Sequence, residues 1–179
     1  MATSSQEAQW VLRAQCNDRE ALECLLRSIQ PSLHRYLCGL VETSSASDVL
    51  QEVLITLCRK LTALHKPELF RPWAYRVASR VAFRHLKKEK RWREQVRDES
   101  ALESMPAPES PPPDGLLQDL LNMDVVPPGS RAVLALHFQE DLPLADVAAI
   151  LEIPLGTAKS RLAYGLAALR KQLNPKRSV

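Results

Sequence analysis

Basic side chains recur at helical spacing in residues 70–97, where ten Lys and Arg residues stand against two acidic ones. At about 100° per residue, they fall along one stripe of a helix. A cationic stripe can follow a phosphate backbone, and an aromatic ring beside it can pack against unstacked bases. The pattern indicates a nucleic-acid contact, and the alternative is a solvated surface with the ring turned into the core. This cationic stripe consists of Trp73, Arg76, Arg80, Arg84, Lys87 and Arg91.

A second candidate DNA contact lies near the C-terminus, in residues 144–163. A short apolar-periodic run is followed by a break at 152–154 and by a longer run that ends at Leu173. Two helices joined by a tight turn form a helix-turn-helix, whose second helix lies in the major groove. The alternative is an amphipathic surface helix. We expect Thr157, Ser160 and Tyr164 to face the bases, and Lys159 and Arg161 to contact phosphates from the flanks.

A third set of polar residues, Asp48, Gln51 and Glu52, lies near the N-terminal end of a helix predicted to run to about Leu61. They alternate with an apolar stripe, so we expect them on the exposed side. Acidic residues at this end are favoured by the helix dipole alone. The same position would also allow them to bind a partner protein. The apolar stripe comprises Val49, Leu50, Val53, Leu54, Leu57 and Leu61.

The elements that carry these residues are predicted to be helices. Few aromatic residues, 5% of the chain, and only five glycines favour helices over sheets. Asp18 is the predicted N-cap of a helix that Pro31 kinks or interrupts. Ser45 or Ser47 is predicted to cap the next helix, and Ser130 the helix before the helix-turn-helix.

The predicted fold is all-α, with two small helical domains at 1–97 and 114–179. The linker between them, at 98–113, is rich in proline and acidic residues and lacks periodicity. A short helix at 116–124 opens the second domain. Residues 98–128 hold seven acidic residues and no Lys or Arg, so the rest of the chain holds all 24 basic residues but only 14 of the 21 acidic ones. That balance suits a polyanionic partner.

The sequence gives no sign of an active site. The four cysteines form no CxxC pair, and neither a Ser/His/Asp spacing nor a phosphate loop is present. Cys38 and His34 are spaced to share a metal, but small buried thiols in a helical core are the favoured interpretation. We therefore predict no catalytic residue, metal or cofactor. No run resembles a membrane span or a signal peptide, so we expect a cytoplasmic protein.

The residues IPLGTAKSRL at 153–162 resemble the GIPxGTVKSRL segment of extracytoplasmic-function (ECF) sigma factors of bacterial RNA polymerase. The segments DVLQE at 48–52, RPWAYRVA at 71–78 and HLKK at 85–88 resemble that family's DLVQE, FRxWLYRIA and HLRR stretches. The order of these motifs and the linker between them extend the resemblance over most of the chain.

This resemblance implies a sigma factor without catalytic activity. Residues 1–97 would bind core RNA polymerase through Asp48, Gln51 and Glu52 and would open the −10 element of promoter DNA. Residues 114–179 would bind the −35 element through the helix-turn-helix, and an anti-sigma factor is an implied partner. The implied −10 contacts are Trp73, Arg76, Arg80, Arg84, Lys87 and Lys88.

Two other classes of protein stay open. One is a helix-turn-helix regulator that does not act with polymerase as a sigma factor, which would not need the 48–52 helix or the cationic stripe. The other is a metal- or redox-sensing protein that uses the cysteines and His34.

The chain departs from the family pattern at three positions. Arg80 stands where many members have Asn, which places the capture of a displaced base at that position in question. Glu152 replaces the usual Gly, so we predict a left-handed backbone at the end of that helix. Tyr164 stands where many members have Arg, and a tyrosine cannot make the bidentate contact to guanine.

Overall fold

The computed structural model describes residues 4–99 and 126–173, with side chains described for 5–92 and 126–171. The regular elements in these ranges are all helical, which confirms the predicted fold class. Two short 3₁₀ turns, Leu61–Ala63 and Pro67–Leu69, precede α4. The α-helices are α1 (Ser4–Gln15), α2 (Arg19–Cys38), α3 (Thr43–Lys60), α4 (Phe70–Glu99), α5 (Pro128–Phe138), α6 (Leu144–Leu151) and α7 (Leu155–Leu173).

The four N-terminal helices enclose an apolar core. Helix α2 contributes a row of fully buried side chains, because its apolar residues recur every three or four positions. Helices α1 and α3 pack on α2, and α4 packs on α3. The core includes Leu25, Ile29, Leu33, Tyr36, Leu37, Val53, Leu57, Phe70, Ala74 and Ala78.

The start of α2 confirms the predicted cap. The backbone of Asp18 is extended, and its carboxylate accepts a hydrogen bond from the Ala21 N–H at 3.1 Å. That bond, helped by Arg13, lowers the pKa of the Asp18 carboxyl. Pro31 does not interrupt α2, which continues to Cys38. A proline removes one helical hydrogen bond, and burial of Ile29 and Leu33 on either side of it holds the helix together.

The predicted caps of α3, Ser45 and Ser47, are wrong. The helix begins earlier, at Thr43, after Glu42, whose side chain makes no capping hydrogen bond. Ala46 is fully buried, so the first turn of α3 already belongs to the core. Packing of this turn therefore sets the start of the helix, and the serines lie inside it.

A buried ion pair anchors the N-terminal end of α4. Arg71 donates to both carboxylate oxygens of Glu7 at 2.6–3.1 Å, and Glu7 is 3% exposed. The Ser28 hydroxyl donates to the same carboxylate at 3.3 Å. The hydrogen bond to Glu7 raises the pKa of Arg71, so this side chain stays charged. Because a buried charge needs a partner, the pair ties α1 and α2 to the first turn of α4.

Helix α5 is the buried centre of the C-terminal helices, and α6 and α7 pack against it. It begins at Pro128, because proline suits the first turn of a helix. The predicted cap at Ser130 is therefore wrong, and Ser130 is a buried residue within α5. Helix α7 approaches α5 closely at Gly165, where an added Cβ would lie 2.7 Å from Leu134 Cδ1. A side chain at position 165 would therefore displace the buried Leu134 side chain.

Helix α4 extends to Glu99, past its predicted end near Arg93 and into the first residues of the predicted linker. The rest of that linker, 100–113, and the short helix predicted at 116–124 lie outside the described residues. Helix α4 packs against α6, and α2 packs against α5. Among the described helices, none combines the length and the apolar character that crossing a bilayer requires.

Candidate nucleic-acid interface

The cationic stripe lies along one side of α4. Arg80 and Arg84 are 64% and 66% exposed, Arg76 is 38% exposed, and Lys87 and Lys88 are exposed. These side chains share one side because buried residues of the same helix occupy the opposite side. The structure thus brings the predicted cations together in one row.

Trp73 stands partly apart from that row. Its ring is half-buried against the N-terminal core and lies 6.2 Å from the Phe70 ring, tilted by 45°. Packing in the core therefore takes up part of the ring. Only the remaining part is available to a base.

A buried polar contact fixes the inner side of α4. The Tyr36 and Ser79 hydroxyl oxygens are 2.7 Å apart, and Ser79 also donates to the Tyr75 carbonyl at 2.7 Å. The Tyr36 and Tyr75 rings meet edge to face, with centroids 5.4 Å apart. Burial raises the pKa of the Tyr36 hydroxyl, so it stays neutral. These contacts set the rotation of α4 about its axis and so the direction of its cations.

The polar residues of α3 are exposed, as predicted. Asp48 and Gln51 face solvent, and Glu52 forms an ion pair with Arg84 of the cationic stripe. An open groove of about 600 Å³ runs beside them, bounded by Arg27, Pro31 and His34 of α2 and by Leu50, Gln51 and Leu54 of α3. The predicted partner-binding surface therefore adjoins both a groove and the cationic stripe.

The helix-turn-helix consists of α6 and α7, in the predicted positions. Ala158, Gly165 and Leu169 of α7 are buried against its neighbours. The opposite side is open to solvent, and Tyr164 is 59% exposed. Of the predicted contact residues, Lys159, Ser160 and Tyr164 are exposed, and Thr157 and Arg161 are half-buried.

Two of these side chains have neighbours within the domain. The Ser160 hydroxyl donates to the Gly156 carbonyl at 2.9 Å, so its oxygen keeps lone pairs that can accept from a base. The Arg161 guanidinium lies against Gly129 at the start of α5. Arg161 is thus held at the flank of α7, where a phosphate contact was predicted.

The turn between α6 and α7 confirms the predicted left-handed residue. Glu152 has φ 56° and ψ 44°, a conformation that favours glycine. The Ile153 N–H donates to the Ala148 carbonyl at 3.0 Å, which closes the end of α6. Helix α7 begins at Leu155, one residue after Pro154, whose carbonyl accepts from the Ala158 N–H.

The Glu152 side chain reaches across to α4. Its carboxylate accepts hydrogen bonds from Arg80 Nε and Nη2 at 2.7–3.1 Å, and Arg76 Nε lies 4.0 Å from it. Arg76 also donates to the Ala149 carbonyl of α6 at 3.4 Å. We call this set the closing contact. Sequence reasoning missed it, and its signal was a glutamate at a helix end where the backbone favours glycine.

The cysteines do not form a metal site in the described part of the chain. Cys38 is buried, with its Sγ 3.8 Å from the ring nitrogens of His34, and burial raises the pKa of its thiol. Within that part, no three His, Cys, Asp or Glu side chains are grouped to hold an ion. The four cysteines are free thiols, of which Cys16 and Cys58 are exposed.

Two family models match the chain. The model for Sigma-70 region 2 covers residues 25–92, and the model for Sigma-70 region 4 covers residues 123–171. The first range includes α3 and the cationic stripe, and the second includes the helix-turn-helix.

Relatives and a solved structure agree with these matches. The RNA polymerase sigma factor SigV of Bacillus subtilis is 30% identical over 72% of this chain and 75% of its own length. The ECF RNA polymerase sigma-E factor of Escherichia coli K12 is 25% identical over 92% of this chain and 93% of its own. The sigma factor RpoE of Bartonella quintana, solved with the anti-sigma factor NepR, superposes with a TM-score of 0.69 at 21% identity. That match covers 87% of this chain and 98% of RpoE.

A helical domain with a row of cations and a second domain with a helix-turn-helix define a DNA-binding protein of transcription. With both Sigma-70 regions matched in order, this protein is a sigma factor. The chain belongs to the ECF family of RNA polymerase sigma factors, which direct transcription initiation.

Proposed function

We propose that this sigma factor divides its work between two domains, 1–97 and 114–179, joined by the linker 98–113. The N-terminal domain binds core RNA polymerase and the −10 element, and the C-terminal domain binds the −35 element. The observation that carries the proposal is the row of cations on α4, in the same chain as an exposed recognition helix. A single promoter needs both, one for the melted strand and one for duplex DNA.

The cations of α4 hold the displaced DNA strand at the −10 element. Arg76, Arg80, Arg84 and Lys87 lie one turn apart on one side of the helix. That spacing follows a phosphate backbone without reading its sequence. Lys88 extends the row, and the open part of the Trp73 ring packs against an unstacked base.

Helix α7 reads the −35 element in the major groove. Thr157 and Ser160 lie near its N-terminal end, where the recognition helix meets base edges. Lys159 and Arg161 hold phosphates on either side. Tyr164, one turn further along, packs against the groove wall or a thymine methyl group.

The exposed residues Asp48, Gln51 and Glu52 of α3 bind core polymerase. They project from the helix beside the groove between α2 and α3, while the apolar stripe of α3 faces the core. Charge reversal at Asp48 and Glu52 is expected to weaken binding to core polymerase without loss of helicity. Charge reversal at Glu20 and Glu23, two exposed acidic residues of α2 that do not line this groove, is the control.

Transcription in vitro with core polymerase tests the division of labour. The double variant Arg80→Ala, Arg84→Ala should retain binding to a −35 duplex but lose strand opening at −10, read as permanganate reactivity of unpaired thymines. The double variant Lys159→Ala, Arg161→Ala should instead lose binding to the −35 duplex. Unchanged permanganate reactivity of the first variant would show that the cationic stripe is only a solvated surface.

The remaining features follow from the family. The protein acts in the cytoplasm, where core polymerase is found, and has no catalytic activity of its own. An anti-sigma factor binds it, as NepR binds RpoE of Bartonella quintana. Co-purification with core polymerase and with a co-expressed candidate anti-sigma factor tests these associations.

A further inference from the structure

Two arginines of the cationic stripe are already occupied by the C-terminal domain. The Glu152 carboxylate receives hydrogen bonds from Nε and Nη2 of Arg80, with Arg76 Nε 4.0 Å away. These two arginines lie at the end of the row nearest to α6. Beyond them, Arg84 is paired within the N-terminal domain, with Glu52.

The carboxylate stands in the place of a phosphate. A guanidinium group binds a carboxylate and a phosphate through the same two parallel N–H donors. Arg80 therefore cannot hold Glu152 and a DNA phosphate in the same geometry at once. A strand laid along α4 would also meet α6, which packs directly on that helix.

The position of Glu152 is held by more than its own charge. Its left-handed backbone is unfavourable for a residue with a side chain, and such conformations persist where the surroundings impose them. Arg76 donates to the Ala149 carbonyl of α6 at 3.4 Å. A second ion pair, between Arg35 of α2 and Glu140 after α5, joins the domains at 3.1 Å.

We infer that Glu152 is an autoinhibitory residue, which occupies the DNA-strand site on α4 until the two domains separate. This inference rests on the proposed function of the cationic stripe. In the closed protein the outer face of α7 stays open, since Lys159, Ser160 and Tyr164 are exposed. Closure therefore blocks the −10 contact and leaves the −35 contact accessible.

The closing contact is an exposed pair of opposite charges, and its attraction is weak enough to be reversed. Arg80 is 64% and Glu152 47% exposed, and pairs of this kind are screened by salt. The lowered pKa of Glu152, which arises chiefly from its hydrogen bond with Arg80, agrees with a favourable pair. Binding of core polymerase or of DNA can therefore replace the closing contact.

The test uses the full chain and two measurements. Small-angle X-ray scattering gives the radius of gyration, which reports closure without DNA. Fluorescence anisotropy with a single-stranded oligothymidylate of about 12 nucleotides gives affinity for the strand site. Glu152→Gln removes the charge and keeps the size of the side chain, and Glu152→Arg places a third cation against Arg76 and Arg80. Glu23→Gln is the matched control, because it neutralises an exposed acid paired with Arg27 inside one helix.

The expected results differ between variants. Glu152→Arg should raise the radius of gyration, and Glu152→Gln should bind the oligonucleotide about fivefold more tightly than the original chain at low salt. The gain should shrink as salt is added, and Glu23→Gln should match the original chain in both measurements. Circular dichroism should show equal helicity throughout.

Two outcomes would overturn the inference. In one, the radius of gyration of Glu152→Arg equals that of the original chain. In the other, Glu152→Gln gains no affinity although Arg80→Ala, Arg84→Ala still weakens oligonucleotide binding. If instead the double arginine variant binds as well as the original chain, the proposed function of the cationic stripe fails. In that case the radius of gyration of Glu152→Arg still tests closure, because this measurement does not involve DNA.

Discussion

Helices α4 and α7 both carry the polar side chains proposed to contact DNA, but their charged side chains differ in their ion-pair partners. On α4, carboxylates from α3 and from the turn after α6 meet Arg84 and Arg80. On α7, Lys159 has no ion-pair partner among the described residues, and Ser160 bonds only to its own helix. Under the proposed function, the helix that must wait for an opened strand has two of its arginines paired with carboxylates, whereas Lys159, Ser160 and Tyr164 of the helix that would read intact duplex are exposed and reach no acidic side chain among the described residues. If these roles hold, the pairing of charges follows the order in which the two DNA elements are engaged.

The largest expected effect concerns how α4 is anchored. Glu7→Ala should lower the free energy of unfolding by about 3 kcal/mol, the low end for a buried pair, because Glu7 is buried and the half-buried Arg71 loses its partner. Urea unfolding followed by circular dichroism measures it. Glu23→Ala, which removes an exposed partner of Arg27, should change the same quantity by less than about 0.5 kcal/mol. Equal effects of the two variants would mean that α4 is positioned by its apolar core alone.

The second prediction concerns how α7 is anchored. Gly165→Ala should cost about 2 kcal/mol, because its Cβ would lie 2.7 Å from Leu134 Cδ1 and force α5 and α7 apart. Thermal unfolding and binding to a −35 duplex report the loss. Gly156→Ala is the control in the same helix, since an added Cβ there meets nothing within 4 Å. Because Gly156 lies in the first turn of α7, this change should leave the free energy of unfolding unchanged or raise it by up to about 0.5 kcal/mol.

The third prediction separates reading from holding on α7. Ser160→Ala should weaken preference at one or two base pairs by about 1 kcal/mol each, because the hydroxyl oxygen that can accept from a base edge is lost. Lys159→Ala should weaken binding to all sequences alike. It should also reduce the slope of log affinity against log salt concentration by about 0.9. Selection from randomised −35 duplexes measures both. A change of preference in Lys159→Ala with none in Ser160→Ala would reverse the assignment.

The smallest expected effect is a pH dependence of closure. Arg80 lowers the pKa of Glu152 below its ordinary value of 4.5, so the closed state favours the ionised form. The closing contact is therefore fully present above pH 4.5 and is lost as pH falls through the lowered value. The charged groups that face this carboxylate are Arg76 and Arg80 of α4. The gain in oligonucleotide affinity of Glu152→Gln over the original chain should vanish at low pH, and a constant gain would exclude this titration.

Much of this arrangement was predictable from local patterns. Apolar periodicity located α6 and α7, and Asp18 identified the start of α2 because a cap acts within three residues of itself. The row of cations on α4 was predictable because helical spacing alone determines which residues share a side of a helix.

Other features depend on contacts that a linear pattern does not contain. Helices α3 and α5 begin earlier than the sequence predicted, because tertiary packing buries Ala46 and Ser130. The partners of Arg71 and Arg80 lie 64 and 72 residues away in the chain. The left-handed backbone of Glu152 was predictable from its place at a helix end, but the direction of its carboxylate was not.

The left-handed glutamate also separates two properties that a protein engineer would want to adjust independently. Glu152 lies in the turn, outside the face of α7 that carries Thr157 and Ser160. Exchange of the reading residues would retarget the protein to another promoter without altering its threshold for activation. Exchange of Glu152 would alter that threshold while the target sequence stays the same. On the inferred role of Glu152, the turn between the two helices would set the sensitivity of the protein separately from its target sequence.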